Sequence, residues 1–91
     1  MLIVVSYDVP DDRRRTKLAH ALEDFGVRVQ YSVFECLLTT DQLQALRARV
    51  TKLMDAGEDS VRIYRLCEEC RGKAEIYGTG RKTEDPEVYV L

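Results

Sequence analysis

The sequence predicts a single α+β domain in which four β-strands and two α-helices follow one another along the chain. Four short runs are rich in β-branched residues, and two longer segments repeat apolar residues at the spacing of one helix face. The 91 residues, 45% hydrophobic and 33% charged, are typical of one globular unit. We therefore expect residues 1–91 to form one domain, with residues 78–91 as a flexible or strand-exchanged C-terminal tail.

Composition and capping residues predict the first strand and the first helix. Leu2–Asp8 is largely apolar and β-branched, which is typical of a central strand that is covered on both faces. Asp11 or Asp12 can cap the helix that follows, and Gly26 is expected to end it in the left-handed conformation. The apolar stripe of this helix comprises Leu18, Ala21, Leu22 and Phe25.

The next segment predicts two adjacent strands, over residues 27–31 and 33–39. Apolar residues occupy odd positions in the first strand and mainly even positions in the second. Because successive side chains of a strand alternate between faces, this change of parity predicts a bulge or tight bend near Ser32.

A capping box formed by Thr39 and Gln42 begins the second predicted helix, which continues until Gly57. A fourth strand is expected over residues 60–66. The resulting order, β-α-β-β-α-β, is that of a ferredoxin-like fold. In this fold the first and third strands are central, and both helices cover the same face of a four-stranded antiparallel sheet.

The other face of this sheet bears apolar and aromatic residues that no predicted helix can cover. Association of two identical chains would bury it, so we expect a homodimer. Residues 74–77 and 88–91 are short β-like stretches beyond the closed unit. A terminal apolar segment frays unless it is paired, so we expect the C-terminal strand to pair with an edge strand of the partner subunit.

Composition also restricts the location of the protein. No apolar run approaches the roughly 18 residues of a membrane span, and no signal peptide is evident, so no membrane association is expected. Three cysteines are an odd number, which argues against a secreted disulfide framework and favours the cytoplasm. The net charge of −2 and pI near 5.4 do not by themselves indicate a nucleic-acid-binding protein.

Asp8 is the principal candidate for chemistry because it ends an apolar strand just before an arginine-rich helix. Mg²⁺ prefers oxygen ligands and usually takes one or two carboxylates with water and a phosphate. One carboxylate is a poor site, but a twofold axis near the strand ends would add Asp8 of the partner. The alternative is that Asp8 only begins a turn, as many aspartates at strand ends do.

A local basic cluster could bind phosphates despite the acidic net charge. It comprises Arg13, Arg14, Arg15 and Lys17 at the start of the first helix, whose N-terminus adds positive potential, and Arg28 could join it. The alternative is a solvated helix face, because these side chains span a full turn and cannot all point the same way.

The remaining motifs are less informative. Cys67 and Cys70 have the spacing of a redox pair, half a zinc site or a stabilising disulfide, but neither Cys36 nor His20 is evidently placed to complete a zinc site. Four aromatic residues could stack on bases, although a core or interface role is more common. They are Tyr31, Phe34, Tyr64 and Tyr77.

Three segments resemble the CRISPR-associated endoribonuclease family, which provides the small subunit of the spacer-acquisition complex. They are residues 6–9 (Ser-Tyr-Asp-Val), residues 12–18 (Asp-Arg-Arg-Arg-Thr-Lys-Leu) and above all residues 26–36 (Gly-Val-Arg-Val-Gln-Tyr-Ser-Val-Phe-Glu-Cys). The resemblance extends over essentially the whole chain.

The resemblance implies a ferredoxin-like homodimer in which Asp8 of both subunits faces a shared cleft and can hold Mg²⁺. It also implies that Tyr7 flanks the metal residue, that Phe34 lies near the cleft and that the C-terminal strand crosses to the partner. Basic positions of the family are matched by Arg15, Lys17 and Arg28. The pair Cys67 and Cys70 is not part of the family pattern.

These observations leave three hypotheses for function. The first is a metal-dependent endonuclease acting on RNA or DNA, with Asp8 as the catalytic and metal-binding residue. The second is a non-catalytic scaffold that bridges copies of the CRISPR integrase subunit and holds duplex DNA through its arginines. The third is a ferredoxin-like regulatory domain that binds a small effector. We favour a scaffold in spacer acquisition that also has Mg²⁺-dependent phosphodiesterase activity.

Overall fold

Six elements follow one another in the predicted β-α-β-β-α-β order in the computed structural model, which describes residues 1–67 and 75–78. The elements are β1 (Leu2–Asp8), α1 (Asp12–Glu23), β2 (Val27–Gln30), β3 (Val33–Leu37), α2 (Thr40–Leu53) and β4 (Ser60–Leu66). Residues 75–77 form no strand within the single chain, so their predicted pairing with a partner subunit is not tested, and the predicted strand over residues 88–91 lies outside the described residues.

The four strands form one antiparallel sheet in the order β2-β3-β1-β4. The prediction that β1 and β3 are central is therefore confirmed. β1 pairs with β4 along its whole length, from Leu2 opposite Leu66 to Asp8 opposite Ser60. The chain turns at residues 31 and 32 as predicted, and a further irregularity lies between Arg28 and Gln30 of β2. Asp8 thus lies at one end of a central strand.

Side-chain caps begin both helices, as the sequence predicts. The Asp11 carboxylate accepts a hydrogen bond from the backbone N–H of Arg14 at 2.8 Å and so caps α1. At α2 the capping box is complete, because the Gln42 N–H donates to Thr39 Oγ1 at 3.2 Å and the Thr39 N–H donates to Gln42 Oε1 at 2.8 Å. α2 ends earlier than predicted, at Leu53.

Gly26 permits a close approach between backbones, and the prediction that it ends α1 in the left-handed conformation was wrong. α1 ends at Glu23, its C-cap residue Asp24 is in the right-handed conformation, and Gly26 has no positive φ. A Cβ atom at Gly26 would lie 2.5 Å from Cys36 Sγ and 2.8 Å from Cys36 Cα, and still closer to the Glu35 carbonyl oxygen. Only a residue without a side chain fits against β3 here.

Gly26→Ala should therefore destabilise the fold by about 1–3 kcal/mol, the usual cost of overpacking, because two of the three contacted atoms are backbone atoms that cannot rotate away. Urea unfolding followed by circular dichroism measures the effect. Gly57→Ala is the matched control, since a Cβ there would meet only the Asp55 side chain at 3.3 Å. Equal unfolding midpoints for the two variants would contradict the proposed close approach.

The core lies between the helices and one face of the sheet. On that face Ile3 and Val5 of β1 pair with Cys36 and Phe34 of β3, and all four side chains are fully buried. Burial raises the pKa of the Cys36 thiol to about 11, with the nearby Glu35 carboxylate adding to the effect, so this cysteine is a packing residue at neutral pH.

The second face of the sheet, which we call the open face, is not covered by either helix. Val4 lies on it between Glu35 of β3 and Tyr64 of β4, and Ser6 and Asp8 follow on the same side. Tyr64 is 48% exposed and Val27, at the edge of the same face, is 58% exposed. The uncovered apolar face expected from the sequence is therefore present in the described part of the chain.

Candidate functional site

Asp8 is an exposed carboxylate at the end of β1, on the open face. It pairs with Ser60, the first residue of β4. Its side chain makes no hydrogen bond or ion pair within residues 1–67 and 75–78. Immediately beyond Asp8 the chain leaves the sheet, and the Arg15 guanidinium donates a hydrogen bond to the Val9 carbonyl oxygen at 2.9 Å, which fixes the turn into α1. The Asp8 carboxylate is therefore held by a fixed backbone segment, and its oxygens are free to accept a ligand.

Asp8 belongs to a shallow, polar depression of about 390 Å³ at this end of the open face. Most of the side chains in it carry oxygen, and one is a cation. The lining residues are Ser6, Tyr7, Asp8, Ser32, Ser60 and Arg62. Carboxylate, hydroxyl and water oxygens are the ligands that Mg²⁺ prefers. The donor set thus suits a hard cation, although Asp8 supplies the only carboxylate among these lining residues.

A second depression of about 320 Å³ lies between α1 and the β2 edge. Its lining combines basic, acidic and aromatic side chains, which are Tyr7, Arg15, Thr16, Ala19, His20, Glu23, Arg28 and Tyr31. Tyr7 borders both depressions and is itself buried; its hydroxyl is 3.5 Å from the Tyr31 carbonyl oxygen, to which it donates. Arg15 and Arg28 therefore lie together, across Tyr7 from Asp8.

Phe34 does not line the cleft, contrary to the expectation from the sequence. Its ring is fully buried in the core, 6.3 Å from the Tyr7 ring. The Arg28 guanidinium lies over the Phe34 ring, 5.5 Å from its centroid. This cation–π contact orients the Arg28 side chain along the edge of the sheet. Phe34 thus contacts the Arg28 guanidinium and is not itself accessible to a ligand.

The basic cluster at the start of α1 divides into residues with different surroundings. Arg14 turns away and binds the loop before β4: its Nε and Nη2 atoms donate to Asp59 at 2.9 and 3.1 Å, and Nη2 also donates to Glu58 at 2.8 Å. Arg15 pairs with Asp12. Arg13 and Lys17 are exposed and make no side-chain bond to the described residues.

Asp59 is the buried end of the Arg14 contact. Its side chain is completely shielded from solvent and also accepts a hydrogen bond from the Asp55 N–H at 2.8 Å. The hydrogen bonds from Arg14, assisted by the one from Asp55, hold the pKa of Asp59 below its usual value despite burial. The Arg14–Asp59 pair joins the start of α1 to the loop that precedes Ser60, and so ties together the two chain segments that flank Asp8.

The structure brings no cluster of metal-binding side chains together within residues 1–67 and 75–78, where no three His, Cys, Asp or Glu side chains converge. Cys67 is exposed, and Cys70 lies outside the described residues, so the predicted Cys67–Cys70 pair is not tested. In the same described part, no helix is long and apolar enough to cross a membrane.

Sequence reasoning missed Arg62 and the serines around Asp8. Ser60 and Arg62 alternate along β4 and would be assigned to one face from sequence, but only the pairing with β1 shows that this is the face of Asp8. Ser32 lies in the turn between β2 and β3, which the sheet brings beside Tyr7, whose N–H donates to the Ser32 carbonyl oxygen at 3.1 Å.

Fold and site together define a small ferredoxin-like protein with a carboxylate-bearing, polar site at one end of an open sheet face. Comparison with known families extends this: residues 1–74 match the family model described as CRISPR associated protein Cas2. The chain belongs to the Cas2 family.

Individual relatives agree over nearly the full length. The chain is 44% identical over 91 residues to CRISPR-associated endoribonuclease Cas2 3 of Chloroflexus aurantiacus, covering 100% of this chain and 98% of the relative. It is 48% identical over 90 residues to CRISPR-associated endonuclease Cas2 2 of Thermus thermophilus, covering 99% and 96% of the two chains. The first relative is thus named as a nuclease that acts on RNA, and the second as an endonuclease without a stated substrate.

Solved structures confirm the fold. The crystal structure of Streptococcus pyogenes Cas2 at pH 6.5 superimposes with a TM-score of 0.75 at 34% identity, covering 86% of this chain and 100% of the other. A chain of a partial Cas6-RT-Cas1–Cas2 complex gives a TM-score of 0.70 at 27% identity, covering 82% and 88%. A protein similar to this one is therefore found in an assembly with Cas1.

Proposed function

We propose that this Cas2-family protein acts in CRISPR spacer acquisition as a cytoplasmic, nucleic-acid-binding homodimer that also hydrolyses phosphodiester bonds with Mg²⁺. The observation that carries the catalytic part is the unpartnered Asp8 carboxylate in an oxygen-lined depression. The relatives named endonuclease and endoribonuclease support the reaction class. The substrate class is RNA, DNA or both.

Dimerisation would bury the open face against a second copy. The face carries the exposed apolar residues Tyr64 and Val27 and the partly buried Val4, which are unfavourable in contact with water. In a twofold dimer each chain presents the same surface, so two Asp8 carboxylates enter one site if the axis passes near the ends of β1. β4 is an edge strand of the described sheet, which leaves its outer edge available to the C-terminal strand of the partner.

Mg²⁺ would be held by Asp8 of the two subunits, with water and serine hydroxyls completing the oxygen ligands. When bound, the ion would neutralise phosphate charge and favour ionisation of water. The protein contributes rigid placement of the carboxylate: the β1–β4 pairing holds Asp8 opposite Ser60, and the Arg14–Asp59 pair holds the segments on either side. Tyr7 lines one side of the site.

Nucleic acid would be bound through the cations of α1 and β2. Arg13 and Lys17 are exposed, while Arg15 and Arg28 border the second depression, across Tyr7 from Asp8. Arg14, which the sequence also predicts to bind nucleic acid, is held by Asp59 and Glu58 and would act chiefly by supporting α1. Each phosphate contact releases counterions, so affinity should fall steeply with salt.

A scaffold is the second candidate, and the Cas1–Cas2 assembly that contains a similar chain favours it. In this function the dimer bridges copies of the integrase subunit and holds duplex DNA while the integrase carries out the chemistry. Scaffolding and hydrolysis are compatible, and we propose scaffolding as the principal role. A regulatory domain that binds a small effector is the third candidate. The absence of any salt-dependent affinity for nucleic acid would favour it.

Cleavage of matched RNA and DNA substrates tests the catalytic proposal. Asp8→Asn keeps the size of the side chain but removes its negative charge, so Mg²⁺-dependent cleavage should fall to the level of a protein-free blank. The assay is run over a range of pH and Mg²⁺ concentration, with circular dichroism and sedimentation as checks on folding and dimer formation.

Asp41→Asn is the matched control, because Asp41 is an exposed carboxylate in the first turn of α2, far from the open face. It should cleave like the wild type. Equal activity of Asp8→Asn and wild type would exclude the nuclease function and attribute the cleavage to a contaminant. The scaffold function would then be retained if charge reversal at Arg28 abolished spacer acquisition.

A further inference from the structure

Arg62 lies on the same face of the sheet as Asp8 and next to it. Arg62 of β4 pairs with Ser6, and Asp8, two residues further along β1, pairs with Ser60. Residues in such a diagonal relation on one face of an antiparallel pair have Cα atoms about 7–8 Å apart. Both side chains line the depression of about 390 Å³. A carboxylate and a guanidinium thus face one small polar space.

The Arg62 guanidinium is available for a ligand. It is exposed and makes no hydrogen bond or ion pair with the residues that the structure describes. The other arginines of this region lie elsewhere, since Arg14 binds Asp59, and Arg15 and Arg28 border the second depression. Of the residues that line the Asp8 depression, Arg62 alone carries a positive charge.

The separation between Arg62 and Asp8 suits a phosphodiester. A guanidinium donates two parallel hydrogen bonds to two oxygens of one phosphate, and it stays charged at any pH of interest. A phosphate that occupies the space beside Asp8 would present its non-bridging oxygens to Arg62. Direct contact between a phosphate and Asp8 alone would be repulsive, and a protein cation at this position would reduce that repulsion in addition to a bound Mg²⁺.

We propose that Arg62 binds the reacting phosphodiester beside Asp8 and stabilises the negative charge that builds on its non-bridging oxygens. The proposal deepens the nuclease function and rests on it. Hydrolysis joins a water oxygen to phosphorus and breaks one ester P–O bond; the attacking water releases one proton to solvent, and the departing oxygen takes one up from solvent. Arg62 exchanges no proton and forms no covalent bond; it lowers the barrier by electrostatic stabilisation.

Arg62→Gln tests the proposal, with Arg65→Gln as the matched control. Arg65 is an exposed arginine of the same strand, but it pairs with Ile3 and lies on the helix side of the sheet. We expect Arg62→Gln to lower kcat about 100-fold, as the loss of one stabilising donor does in other enzymes, and Arg65→Gln to leave kcat unchanged. Arg62→Lys should restore only part of the loss, because an ammonium group binds one oxygen at a time.

Binding of a non-cleavable oligonucleotide without metal gives a second readout. If Arg62 contacts one phosphate, Arg62→Gln should reduce the slope of log affinity against log salt by roughly 0.7–0.9 relative to Arg65→Gln. Equal kcat values and equal salt slopes for Arg62→Gln and Arg65→Gln would overturn the proposal. So would a higher KM with unchanged kcat, which would place Arg62 on a phosphate that does not react.

The dimer must be checked because Arg62 is on the face that we expect to be buried. A loss of activity that disappears at higher protein concentration, with a weaker dimer by sedimentation, would show a structural role and overturn the proposal. Failure of the nuclease function gives a different result: wild type and Asp8→Asn then cleave equally, whatever Arg62→Gln does. The oligonucleotide assay would still decide whether Arg62 contacts a phosphate.

Discussion

Adding Asp8→Asn chains to wild-type chains should lower the cleavage activity, because wild-type chains in mixed dimers become inactive. If each subunit supplies one carboxylate of a shared site, a mixed dimer has an incomplete site. Random exchange with an equal concentration of Asp8→Asn doubles the number of dimers and leaves about one quarter of them with two wild-type chains, so activity at constant wild-type concentration should fall to about one half. Because the described part of the chain brings no other carboxylate into the depression, the mixed dimer has no substitute ligand.

The measurement is the initial cleavage rate at constant wild-type concentration and increasing Asp8→Asn concentration, after incubation long enough for subunits to exchange. Asp41→Asn in place of Asp8→Asn controls for the added protein and should leave the rate undiminished. A rate that does not fall when Asp8→Asn is added, although exchange is shown with differently tagged chains, would mean that one Asp8 is enough.

Asp59→Ala should produce a large loss of stability, because it removes a buried carboxylate from three hydrogen bonds. Arg14 loses two of its acceptors, and the Asp55 N–H loses its partner. Uncompensated polar groups are costly away from water. Arg49→Ala is the control, because the Arg49–Asp24 pair is exposed and long, at 3.3 Å, and such pairs contribute about 0–1 kcal/mol. The shift of the urea midpoint for Asp59→Ala should be at least double that of the control.

Asp59 also predicts a pH dependence with a definite sign. Its pKa is lowered in the folded protein, first by the hydrogen bonds from Arg14 and then by the one from Asp55. The folded state therefore favours the ionised form, which stabilises the protein above the unfolded-state pKa of about 3.9 and is lost as pH falls through the lower folded-state value.

The stability advantage of wild type over Asp59→Asn should thus be constant near neutral pH and shrink below about pH 4. Urea unfolding of both proteins over this range measures it. An advantage that persisted unchanged into acid would show that the charge of Asp59 contributes nothing, and that only the shape of the side chain matters.

Local features of the fold were predictable because they depend on residues that are close in sequence. The caps at Asp11 and Thr39 act on groups three residues away, and helix stripes and strand runs repeat within a few positions. The order of elements followed from these, and the antiparallel arrangement followed from the order. The Gly26 prediction failed for the opposite reason, since the atoms that require glycine belong to Glu35 and Cys36 on another strand.

The candidate site was predictable only in part. Asp8 could be singled out because a polar residue that ends a buried strand is visible in the sequence itself. The position of Phe34 in the core depends on which face of β3 packs on the helices, and the partner of Arg14 is Asp59, 45 residues away. Arg62 was not singled out because strand alternation does not say which neighbour a residue faces.

The sequence by itself thus determined the six elements, their order, an uncovered sheet face and one conspicuous carboxylate. Those properties follow from short-range periodicity and capping, which any segment carries with it. The tertiary structure decided which cations surround that carboxylate, because register pairs β4 with β1 and thereby sets Arg62 beside Asp8 while Asp59 draws Arg14 away. Register and long-range ion pairs depend on how distant segments meet, and this is settled only when the whole chain packs.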